Sequence, residues 1–174
     1  EAVIFDMDGT LIDSTPAVVR AWANWAIEYG LPPIDLRMHH GTPSASVVRA
    51  VMPEHLHEGG MQRITELEIA DLHDVVVLPG AVEALASLAS AKNAIATSCT
   101  VPLAEARIAA AQLVPPSVLV TADDVVHGKP HPEPFLEAAR QLGVDAVFCL
   151  GDLDRAWIES LMGLSIPRYG VHGN

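Results

Sequence analysis

The feature that most constrains this chain is the regular alternation of short apolar runs with segments of helical periodicity. Val3-Ile4-Phe5, Ala94-Ile95-Ala96, Val118-Leu119-Val120 and Val147-Phe148-Cys149-Leu150 are each too short for a helix and too apolar for a solvated loop,. Helical patterns separate the later runs: one after Pro102, one from Pro132 to Leu142, and a last one before the run Ile166 to Val171,. Buried strands joined by helices predict an α/β fold, a doubly wound parallel sheet with right-handed crossovers. Such sheets bind ligands beyond the carboxyl ends of their strands.

Between the first and second of these runs the alternation stops. Pro16 opens a helix behind Ser14 or Thr15, with Val18, Trp22, Trp25 or Ala26, and Tyr29 on one face, stopped by Gly30 and Pro32,. A second helix begins at Thr42-Pro43, carries Val47, Val48 and Val51, and ends by Pro53; a third carries Met61, Ile64, Leu67 and Glu68. This helical block is read as an inserted cap: 1–13 and 80–174 form the Rossmann-like core, and 14–79 the cap. The tryptophans Trp22 and Trp25 are read as core packing within it.

The polar residues at the strand ends then stand out. Asp6 and Asp8 follow the first run, Thr97 and Ser98 the second, Lys129 lies beyond the third, and Asp152 follows the fourth. Two carboxylates one residue apart repel unless a cation binds them. A carboxylate can attack phosphorus, splitting one hard displacement into two easier ones, and a second can protonate the leaving oxygen and later deprotonate water. Magnesium would neutralise the clustered charge, while a hydroxyl and a lysine hold the phosphate oxygens.

The stretches "DMDGTLIDS", "IATSCT", "GKPHPEPF" and "FCLGD", in this order, resemble the motifs of the haloacid dehalogenase superfamily of phosphohydrolases. The chain is similar to its helical-cap subgroup of sugar-phosphate and glycerol-phosphate phosphatases, which includes β-phosphoglucomutase. The resemblance implies that Asp6 is the nucleophile and a metal ligand, and that Asp8 is the general acid/base and gives the metal its backbone carbonyl. Gly9 would let the backbone approach the phosphoryl group, Thr97 and the Ser98 amide would hydrogen-bond it, Lys129 would pair with Asp6 and phosphate, and Asp152 would complete the Mg2+ site. An acid at Asp8 weighs against a dehalogenase, which lacks it there. His40, Gly41 and Thr42 fall where related caps place substrate-contacting residues.

The fourth motif departs from the family. It reads "GDLDRAWIES", with Gly151 before Asp152, Asp154 as an alternative acid, and Ala156 and Trp157 in place of the usual pattern. Weakened magnesium affinity is the expectation. A metal cluster of His39, His40, His55 and His57 lacks clear ligand spacing, and Cys99 is read as a structural thiol,.

Composition narrows the partners. A formal net charge of −12 argues against nucleic acid and anionic membrane surfaces,. No apolar stretch is long enough for a membrane span, and two cysteines make no disulfide framework, so a cytoplasmic setting is expected,. The chain opens on Glu1, which leaves the natural start of the protein open. The expected function is a Mg-dependent phosphatase acting on small phosphorylated metabolites through an aspartyl-phosphate, with a monomer as the default state. A β-phosphoglucomutase-like phosphomutase and a catalytically impaired binding protein are the alternatives.

Overall fold

The computed structural model describes residues 2–35, 43–89 and 92–144, together with the backbone of strands 147–150 and 168–171. Strand β1 (Ala2–Phe5) pairs in parallel with β4 (Lys92–Ala96), and β4 pairs in parallel with β5 (Val118–Val120), giving the spatial order β1-β4-β5. The α/β architecture expected from the alternation is therefore present. β6 (Val147–Leu150) and β7 (Arg168–Val171) form a further parallel pair.

Alternation along the strands sorts their side chains onto two faces. Phe5, Ile95 and Leu119 pack into one cluster with Leu103, Ala104 and Ile108 of α5 (Val101–Ala110) and Ala81 of α4 (Ala81–Ser87). Ile4, Ala94, Ala96, Val118 and Val120 pack on the opposite face against Ala138 and Leu142 of α6 (Glu133–Leu142). Burial on both faces explains why these runs read as continuous apolar stretches.

The helical block builds a third cluster of its own. Helix α1 (Thr15–Glu28) contributes Ala21, Trp22 and Trp25, α2 (Ser44–Val51) contributes Val47 and Val48, and α3 (His57–Ala70) contributes Ile64. The tryptophans are core residues, as expected: Trp22 and Trp25 meet edge to face at 5.2 Å, and Trp25 Nε1 donates to the Gly60 carbonyl at 2.9 Å. Gly60 lets α3 come this close, since a Cβ there would lie 2.7 Å from Met52 Sδ and 3.3 Å from the Trp25 ring.

One element was not legible in the sequence. The two passages between the helical block and the sheet pair as an antiparallel ribbon, β2 (Ile12–Asp13) with β3 (Val76–Val77). Two residues per strand are too few to leave a periodicity.

Candidate active site

The chain turns sharply after β1. Gly9 has φ +78°, which side-chain-bearing residues rarely adopt, and its amide donates to the Ile12 carbonyl at 2.8 Å,. Asp6 and Asp8 therefore sit on one loop at the carboxyl end of the strand. Asp6 Oδ1 accepts from the Met7 amide at 2.7 Å and lies 2.6 Å from Lys129 Nζ. The lysine also donates to the Ala96 carbonyl at 2.9 Å and sits 5.0 Å from the centre of the Phe135 ring. It thus bridges the ends of β1 and β4, as an ammonium with several donors can.

Thr97 is buried at the end of β4, where its amide donates to Val120 and its hydroxyl accepts from the Cys99 amide at 3.2 Å. The carboxyl ends of β1 and β4 thus bring together Asp6, Asp8, Gly9, Thr97, Ser98 and, by its salt bridge, Lys129. The remaining expected site residues, His40, Gly41, Thr42 and Asp152, lie outside the described residues, as do Gly151, Asp154, Ala156 and Trp157.

The carboxylate of Asp8 is held from three directions. Its Oδ1 accepts from the Ser14 hydroxyl at 2.6 Å and from Arg107 Nη1 at 3.0 Å, and its Oδ2 accepts from the Cys99 thiol at 3.2 Å. Ser14 stands at the N-cap of α1 but makes no capping bond with its side chain; the charged acceptor takes its hydroxyl instead. Arg107 continues the chain of contacts, donating through Nη2 to Glu68 Oε1 at 2.9 Å and through Nη1 to Cys99 Sγ at 3.1 Å.

Burial governs the charges in this network. Glu68 and Arg107 are 3% and 4% exposed, so each relies on the other rather than on water,. Burial raises the Glu68 carboxyl above its usual range despite the neighbouring guanidinium. Burial opposes the Arg107 charge, but Cys99, Asp8 and Glu68 outweigh it and raise the pKa of the guanidinium. Burial and the Asp8 charge push the Cys99 thiol up to about 12, which makes it a structural donor, as expected, and not a nucleophile at neutral pH,.

Glu68 and Arg107 as a pair were missed in the sequence, although a signal exists. Arg107 occupies a core-facing position beside Leu103, Ala104 and Ile108, and Glu68 stands one turn beyond Ile64 on the buried face of α3. Opposite charges on the apolar stripes of two helices imply that the helices meet there.

A cavity of about 250 Å³ opens over this loop. Asp6, Asp8, Gly9 and Ser98 form one part of its wall, Glu68 and Arg107 another, and Trp22, Val47 and Leu103 contribute apolar surface. The donor set suits a hard divalent cation. Asp6 supplies carboxylate oxygen, while Asp8, whose side chain is already taken by three donors, has its backbone carbonyl to offer,.

Comparison with known proteins agrees with this geometry. Residues 1–154 match the family model described as haloacid dehalogenase-like hydrolase. Hexitol phosphatase A of Escherichia coli is 39% identical over 153 residues, covering 84% of this chain and 71% of that protein. Glycerol-1-phosphate phosphohydrolase 2 of Saccharomyces cerevisiae is 31% identical over 150 residues, covering 82% of this chain but only 59% of the yeast enzyme. The crystal structure of a hydrolase from Pseudomonas syringae superposes with a TM-score of 0.72 at 32% identity, covering 84% of this chain and 73% of that one. CbbY from Rhodobacter sphaeroides, solved with phosphate, shares the fold at 22% identity with a TM-score of 0.74 over all of this chain and 87% of its own. With its sheet, its paired loop aspartates and named relatives that are phosphatases, the chain belongs to the haloacid dehalogenase-like hydrolases.

Proposed function

We propose that this hydrolase is a magnesium-dependent phosphatase of sugar, polyol or glycerol phosphates, working through an aspartyl-phosphate on Asp6. The observation that carries the reading is the pair of loop carboxylates held in two different ways: Asp6 against Lys129 at 2.6 Å, and Asp8 within the Ser14, Arg107 and Cys99 donors. The relatives that act on a hexitol phosphate and a glycerol phosphate support the substrate class.

In this reading a carboxylate oxygen of Asp6 forms a bond to phosphorus while the bond to the substrate oxygen breaks. Asp8, entering the step in its protonated form, gives its proton to that departing oxygen, which leaves as the alcohol. Asp8 then takes a proton from water, whose oxygen attacks phosphorus, and Asp6 is regenerated as inorganic phosphate departs. Lys129 orients Asp6 and meets a phosphoryl oxygen, and the Thr97 hydroxyl and Ser98 amide hold the other phosphoryl oxygens. Asp6 and the Asp8 carbonyl would hold Mg2+, with Asp152 as third ligand, supplying positive charge against the phosphoryl oxygens. Residues 14–79 act as the cap over the core formed by 1–13 and 80–174, with His40, Gly41 and Thr42 facing the substrate. A monomer in the cytoplasm, without nucleic acid or membrane partners, completes the proposal.

The test is pre-steady-state hydrolysis of p-nitrophenyl phosphate by Asp8→Asn. This leaving group needs no proton, so the first step proceeds and the second lacks its base. A stoichiometric burst of nitrophenolate followed by turnover slowed by about 10²–10⁴-fold is expected. Slow turnover without a burst would contradict the two-step assignment.

A further inference from the structure

The loop that delivers Lys129 carries three metal-ligating side chains that the proposed mechanism does not use. The His131 amide donates to the Gly128 carbonyl at 3.0 Å, which turns the chain back on itself. The turn sets the His127 and His131 rings against each other, their centres 4.8 Å apart. Glu133, the first residue of α6, reaches back to both: its Oε2 lies 2.8 Å from His127 Nδ1 and 3.7 Å from His131 Nδ1. The chain itself fixes the carboxylate in that pose, because Oε1 accepts from the Val126 amide at 2.8 Å and Oε2 from the His127 amide at 3.0 Å.

One donor atom of each of these three residues lies within 4.8 Å of the other two. Metal bonds of about 2.0–2.2 Å at tetrahedral angles place neighbouring ligand atoms roughly 3.3–3.6 Å apart. The separations of 2.8 and 3.7 Å bracket that span. His127 is exposed and its partners are partly so, which leaves the rings room to adjust and solvent access to the open coordination positions,. A metal on His131 Nδ1 would replace the long 3.2 Å bond that this atom accepts from the Glu133 amide, a first-turn donor that water can satisfy,. The positive end of α6 opposes a cation here, and the Glu133 charge offsets it.

The donors also discriminate between ions. Two imidazoles and a carboxylate suit a borderline divalent ion such as Zn2+, whereas Mg2+ prefers oxygen ligands. A second group of this kind, Asp71, His73 and Asp74, is less free, since Arg20 already holds both of its carboxylates. Among the described residues, no lysine or arginine is paired with Glu133.

We propose that His127, His131 and Glu133 form a zinc site, separate from the Asp6 loop, in which the ion clips together the two sides of the turn that carries Lys129. The clip needs no substrate and no Mg2+, so it stands apart from the phosphatase reading.

The experiment titrates chelator-cleared protein with Zn2+ by calorimetry in excess Mg2+, for the wild type and for His127→Ala, His131→Ala, Glu133→Gln and His73→Ala. A zinc ion is expected to bind the wild type with half-saturation below about 0.1 mM. Each of the first three variants is expected to weaken it at least about tenfold, and His73→Ala to leave it unmoved. Zinc-edge X-ray absorption is expected to show imidazole scattering at about 2.0–2.1 Å, lost in His127→Ala. Amide exchange over residues 126–133 is expected to slow with zinc in the wild type and not in His127→Ala. Half-saturation above about 0.1 mM would overturn the site. So would an affinity unmoved by both histidine variants, an equal loss in His73→Ala, an oxygen-only zinc edge, or exchange that zinc leaves unchanged in the wild type. None of these readouts involves turnover, so absence of phosphatase activity would leave them decisive.

Discussion

At the residue scale, the two loop aspartates differ in what surrounds them. Among the described residues, Asp6 faces one cation, Lys129, whereas Asp8 is fixed by a hydroxyl, a guanidinium and a thiol. In the proposed mechanism, fixing Asp8 would keep a proton-transfer group at a defined distance from the departing oxygen, which general acid–base catalysis requires. Cys99 serves that geometry as a protonated donor. With its pKa pushed up to about 12 by burial and the Asp8 charge, Cys99 is expected to resist iodoacetamide at pH 7 in the native protein and to react once the chain is unfolded, as read by peptide mass spectrometry,. Rapid native labelling would show the thiol to be accessible and the network loose. The placement of the aspartates and Lys129 at the strand ends was legible in the sequence because it depends on position along a strand and a loop, which a linear pattern records. The donors around Asp8 come from Ser14, Cys99 and Arg107, and the last of these meets it only through tertiary packing.

At the scale of elements, buried and half-buried charges pin the helices differently. Arg107 on α5 and Glu68 on α3 join the two helices inside the protein. Arg107→Ala leaves two carboxylates uncompensated and is expected to destabilise the fold by about 3–5 kcal/mol in denaturant titration, whereas Glu68→Met with Arg107→Met together recovers part of that loss. Additive losses would mean that the two charges do not depend on each other.

Arg20 on α1 binds Asp71 and Asp74 beyond α3 at 2.7 to 2.8 Å in a half-buried setting. Its side-chain hydrogen bonds hold Asp71 at about 2, below the usual 3.8. A depressed carboxyl pKa contributes stability that is fully present above pH 3.8 and fades as pH falls through about 2,. The difference in unfolding midpoint between wild type and Arg20→Ala should therefore narrow between those pH values, and a gap that stays constant would argue against the ion pair. The helices were legible from their apolar spacing and prolines. The β2–β3 ribbon was not, because two residues per strand leave no periodicity to read,.

At the scale of the whole molecule, a sheet packed on both faces presents its loop carboxylates to a cavity that helices α1, α2 and α3 help to wall. The altered fourth motif bears on the metal at this scale, since Asp152 would join residues from the opposite end of the chain. Half-saturation of activity by Mg2+ above the micromolar range is expected, and saturation within it would show that "GDLDRAW" costs the site nothing.

The measurement that tests the account most directly is phosphate release from p-nitrophenyl phosphate at neutral pH, with Mg2+ and with a chelator, by the wild type beside Asp6→Asn. The account predicts turnover that requires both the metal and Asp6. No turnover in the folded, Mg2+-saturated wild type, or turnover that survives Asp6→Asn, would contradict it.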